Sequence, residues 1–196
     1  MKKYLQVFVL STLSTFAYAQ DEKPEKPKTK LEAFMAQDGT VIVQGFSTIG
    51  KMEGMYGSFL SVDSKEITVA SSGKREYGIT IEVKKNIGSN LTRESTSYID
   101  YDEIESLLKG IDYISKIDKS STKLQDFQAD YRTKDDLKIS VFSGSLGLFS
   151  SSKNSSIYLN VESGIIGRAT ATFKLESINE FRGLIAKAKE KLDSIK

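Results

Sequence analysis

Twice along this chain, runs of alternating apolar and polar residues pass directly into an apolar stripe at helical spacing. That repeated grammar limits what the chain can fold into. In the segment from Tyr77 to Lys84, Tyr77, Ile79, Ile81 and Val83 share one face while Thr80, Glu82 and Lys84 share the other. This is the period of a strand with one wet side. Similar runs predict strands over 40–46, 57–62, 66–70, 75–84 and 95–101, and a second block over 126–132, 137–142, 156–162 and 167–175. Ile104, Leu107, Leu108, Ile111, Ile114 and Ile117 then predict a helix over 103–117. Ile178, Phe181, Leu184, Ile185, Ala188, Leu192 and Ile195 predict another over 178–195. Asp102 with Glu105 reads as an acidic capping box for the first, and Ser177 with Glu180 as a full one for the second.

Because each helix follows its own strands, hairpin pairing is expected rather than parallel crossovers. The expected fold is α+β: one curved antiparallel sheet of about eight strands, with two amphipathic helices on one face. Laying Ile99 over Phe173 also lays Tyr101 over Leu175, Ile104 over Ile178, Leu107 over Phe181 and Ile111 over Ile185, which fits a duplicated unit of strands then helix. Any strand entering a capped amphipathic helix would score similarly, and moving one residue on, Asp102 over Ser177, matches the caps better. Gly110 and Gly183 fall inside the helices, where each costs up to about 1 kcal/mol relative to Ala, so close approach of a neighbouring element is expected at both.

The N-terminus has a different grammar. Lys2 and Lys3, an apolar stretch from Tyr4 to Leu10 and Ala17-Tyr18-Ala19 have the order of a secretory leader, with cleavage expected after Ala19. The apolar stretch is too short and too interrupted to span a bilayer, and no Cys is present to carry a lipid anchor. Residues 20–30 hold both prolines and charges of both signs and read as a disordered tether. A single domain is expected over 31–196, in the periplasm or outside the cell. Removing residues 1–19 takes away Lys2 and Lys3 and no acid, leaving 26 basic against 26 acidic groups. The five arginines are scattered, so nucleic acid is not an expected partner.

The chain has no Cys and no His. This excludes thiol and Ser-His chemistry and the usual nitrogen and sulfur zinc sites, and no cofactor or metal is expected. Ser-x-x-Lys occurs at Ser71, Ser106, Ser120 and Ser150, as often as chance supplies in a chain so rich in both residues. The densest acidic group, Asp100, Asp102, Glu103 and Glu105, lacks the ligand and Gly positions of an EF-hand loop. Asp100 and Asp102 are the weak candidates for a carboxylate hydrolase, although capping explains Asp102 more simply and Asp100 is expected to point outward from a strand.

The preferred expectation is therefore a non-catalytic exported binding or accessory domain whose partner is an envelope protein. Its contact regions would be the sheet face left uncovered by helices and the Ser-rich loop over 143–156, whose Leu146, Leu148 and Phe149 form an apolar triplet in a polar connection. The alternatives are a carrier of a small apolar ligand and the hydrolase at Asp100 and Asp102.

Overall fold

The computed structural model describes residues 27–88, 91–144 and 156–196. A short helix, α1 (Lys30–Met35), precedes four strands: β1 (Ile42–Glu53), β2 (Ser58–Val69), β3 (Arg75–Gly88) and β4 (Leu91–Asp100). Helix α2 (Ile104–Ile114) leads to four more, β5 (Gln128–Arg132), β6 (Lys138–Gly144), β7 (Ser156–Ser163) and β8 (Ala169–Lys174), before the closing helix α3 (Ile178–Asp193). The α+β class and antiparallel pairing match expectation. The single eight-stranded sheet does not, because β1 to β4 form one meander and β5 to β8 a separate one. Helix α2 carries the chain away from β4, and the backbone N–H of Tyr98 on that edge goes to the Asp135 carboxylate at 2.8 Å instead of to β5.

Nor do the two long helices lie on one face of a common sheet. α3 packs on β1, β2 and β3, whereas α2 packs on β5 and β6, so each four-strand unit is covered by the helix of the other. The two sheets also meet directly, β3 against β7 and β8, where the fully buried Ala169 and Ala171 keep β8 thin enough to approach. One continuous core results, running from Leu60, Val62, Ile79 and Ile81 to Ile139, Val161 and Phe181.

The two units correspond as Ile99 over Phe173 requires. Tyr101–Glu103 and Leu175–Ser177 are both single 3₁₀ turns, and Ile104 and Ile178 each open the helix that follows. The expected capping boxes are absent: neither Asp102 nor Ser177 makes a side-chain cap bond, since each 3₁₀ turn feeds the helix with its backbone already wound. The separate strands expected over 57–62 and 66–70 are one continuous β2.

The third helix was not legible in the pattern. α1 begins inside the expected tether, with Thr29 buried as its cap and reciprocal bonds to Glu32, and its fully buried Leu31 sits over Gly78 on the opposite face of the first sheet. A Cβ at Gly78 would overlap the Ile99 carbonyl oxygen on β4 and also lie 2.5 Å from Leu31 Cδ1, so the glycine serves the close approach of β4 as well as the seat of α1. Among the described residues no helix is long and apolar enough to cross a membrane.

Candidate interaction surface

The two carboxylates singled out from the sequence lie at one junction but do different work. Asp100, 1% exposed rather than outward-facing, accepts the backbone N–H of Lys30 at 3.0 Å and of Leu31 at 3.1 Å, and so anchors the start of α1. Asp102 is half exposed and pairs with Lys30 Nζ at 2.6 Å, which holds its carboxyl below the usual carboxylate range. Glu103 of the same acidic group and Asp135, which the sequence did not mark, form a reciprocal clasp between the units. Glu103 Oε1 accepts Lys134 N–H at 2.9 Å across to the β5–β6 turn, and Asp135 of that turn accepts Tyr98 N–H at 2.8 Å back on β4. Burial pushes both acids up, Asp135 to about 6, with Glu32 and Asp136 adding to the effect while the Tyr98 bond and Lys28 oppose it. Among the described residues no cluster of acids is arranged to hold a metal ion.

The outer face of the second sheet carries polar side chains in register, Asp130, Ser140, Asn160 and Thr172 in one line across the four strands. Most of this polarity is spent internally. Ser140 Oγ donates to Asp130 at 2.6 Å, Gln128 donates to the same carboxylate, and Lys138 and Arg168 both reach Glu162. Burial raises the Asp130 carboxyl, but hydrogen bonds from Ser140 and Gln128, with Lys138 and Arg132 nearby, bring it below its ordinary value. Leu146, Leu148 and Phe149 lie outside the described residues.

The strand edges differ more sharply. β8 is closed by Met55, whose N–H donates to Thr172 O at 2.6 Å, and by Ser58 Oγ, which accepts from Thr172 N–H. β4 carries Arg93, Glu94 and the Asp135 bond. β5 is only five residues long and bears Asp130 and Arg132. These are the ordinary ways of blunting an edge. β1 uses none of them before its bulge at Thr48/Gly50. From Thr40 to Gly50 it has no charged residue, in a chain of which 28% is charged, and Val41, Val43 and Phe46 are 68%, 54% and 70% exposed.

Ala70 N–H donates to Val41 O, so by antiparallel alternation Ile42, Gln44, Phe46 and Thr48 turn their N–H and C=O groups away from β2. Among the described residues no other strand pairs with that edge. Beside it lies a groove of about 240 Å³ bounded by Gly45, Phe46, Ser64, Lys65, Leu192 and Ile195, with Lys65 Nζ 5.6 Å from the Phe46 ring centre. The sequence marks 40–46 as a strand, but edge position is a property of the sheet and has no local signal. The missing charges were the available clue.

No family model matches the chain, and no curated protein or solved structure matches it either.

Proposed function

We propose that the chain is an exported, non-catalytic binding domain that holds its partner by strand addition along β1. The observation that carries this reading is the charge-free stretch from Thr40 to Thr48, whose outer edge pairs with no other strand among the described residues, on an otherwise blunted pair of sheets. An added strand would satisfy the outward groups of Ile42, Gln44, Phe46 and Thr48, and the exposed Val43 and Phe46 would flank it on opposite faces. The leader-like sequence ending at Ala19 supports export.

The test is site-specific photo-crosslinking in the host's own envelope. A photoreactive residue at Gln44 should give a discrete adduct, and one at Thr170 on the outer face of the second sheet should not. Equal labelling at the two positions, or none at Gln44, would overturn the reading.

A further inference from the structure

We infer that the end of the first sheet formed by the β1–β2 and β3–β4 turns docks on an anionic phospholipid bilayer; no part of this rests on the β1 edge. The two turns lie side by side. Asn86 N–H donates to Gly57 O at 3.1 Å, Thr92 Oγ1 donates to Asn86 Oδ1 at 3.2 Å, and Gly88 pairs with Leu91. From this end project Tyr56, Ile87 and Leu91, which are 59%, 48% and 64% exposed. Residues 54–58 and 86–92 carry no charge. The turn at the opposite end of the same sheet, 70–74, holds Ser71, Ser72 and Lys74 and no exposed large apolar residue.

Two features of this end are unfavourable for folding alone. Tyr56, at φ 57°, and Gly57, at φ 65°, are the central residues of a turn closed by Ser58 N–H to Met55 O at 3.2 Å. Such a turn favours Asn, Asp or Gly at both places, and a bulky residue there is strained. With its ring mostly in solvent, Tyr56 gains little packing in return. Lys85 and Arg93 face each other in register across β3 and β4, where like charges repel, and neither has an ion-pair partner among the described residues.

A bilayer surface accounts for both. Aliphatic side chains enter the acyl boundary, a tyrosine ring sits at headgroup depth, and lysine and arginine behind them meet the lipid phosphates. Tyr56, Ile87 and Leu91 stand at the tip in this way, with Lys85 and Arg93 set back along the same two strands as the aliphatics. Neighbouring acids do not cancel that pair. Glu94 is held by Lys84 at 3.2 Å, and Glu53 is matched by Lys51 on the same face of β1. The surface consists of the ends of two hairpins rather than a groove, so a fluid bilayer can close around it.

The absence of native cysteine allows one environment-sensitive fluorophore to be placed at a chosen position. In the full chain labelled at Leu91→Cys, vesicles of mixed phosphatidylglycerol and phosphatidylcholine should shift the emission to the blue, and phosphatidylcholine alone should not. A label at Ser72→Cys, on the opposite turn, should stay in water with both. Lys85→Gln together with Arg93→Gln in the chain labelled at Leu91→Cys should raise the lipid needed for half-saturation by about tenfold or more. Tyr56→Asn separates lipid binding from folding. It should raise the urea midpoint, because Asn suits the turn, and yet raise the lipid requirement by about fivefold. No shift at the Leu91 label, equal shifts at both labels, indifference to lipid charge and to the Lys85 and Arg93 changes, or an unaltered lipid requirement in Tyr56→Asn would each overturn the proposal. So would a discrete protein adduct from a photoreactive residue at Leu91 with no response to vesicles, which would assign the tip to a protein partner.

Discussion

Tyr131 on β5 lies flat against Gly110 of α2, so that any side chain at Gly110 would overlap the Tyr131 ring. The sheet registers place Tyr131 at the position equivalent to Gly50 on β1, and the helices place Gly110 at the position equivalent to Leu184. There the sizes are exchanged: a Cβ on Gly50 would come within 2.6 Å of Leu184 Cδ2. Both units thus close the same helix-on-sheet contact with one large and one absent side chain, the helix donating the bulk in one and the strand in the other.

Gly110→Ala should therefore destabilise the fold by about 1–3 kcal/mol, the usual cost of forcing a group into a filled contact. Gly183, with open space around it, did not need the close neighbour that the sequence suggested there, and Gly183→Ala should stabilise by up to about 1 kcal/mol. Urea unfolding of the two variants side by side checks the pair. Equal shifts would show that Tyr131 yields without cost.

The Glu103 and Asp135 clasp gives the fold an unusual acid response. Both carboxyls are raised by burial, so the folded state takes up protons before the unfolded chain does. Stability should increase as pH falls from 7 through about 6 toward the ordinary carboxylate range, and decrease as pH rises through about 6. Asp135→Asn, which keeps an acceptor for Tyr98 N–H, should flatten that slope. The check is the urea midpoint at pH 7 and pH 5, and an unchanged slope in the variant would assign the effect elsewhere.

Removing the Asp100 carboxylate leaves two backbone donors at the start of α1 without their acceptor. Asp100→Ala should cost about 1–3 kcal/mol and raise amide exchange across Lys30–Met35, with the second sheet unaffected. Uniform exchange changes across both sheets would show that the α1 seat is not local.

Leu31→Ala probes the same seat from the apolar side. Leu31 is fully buried outside the main core, against β2 and β3, and truncation should cost about 2–5 kcal/mol. Loss of the near-ultraviolet signal from Tyr98, which lies near Glu32 of α1, should accompany it if α1 lifts away. A cost under about 1 kcal/mol would mean the surroundings collapse into the space.

The strands and both long helices were legible because their signals are local. Ile79, Ile81 and Val83 alternate, and Leu107, Leu108 and Ile111 recur at helical spacing, wherever their partners turn out to be. Helix α1 was hidden because six residues carry too little periodicity to stand apart from the charged segment before them. Asp100 was misread for a related reason. Strand alternation says which face a side chain takes, and only α1 settling on that face turned an outward position into a buried one.

Local physics along the chain thus determined the α+β class, the antiparallel pairing and the exclusion of thiol and histidine chemistry, because periodicity and the absence of a residue type need no neighbours. The tertiary structure decided that there are two sheets rather than one, which helix covers which sheet, and which strand is left with an open edge. Those depend on contacts between residues far apart in sequence, Gly110 with Tyr131, Gly50 with Leu184 and Glu103 with the Lys134 backbone, whose complementarity exists only once the chain has brought them together.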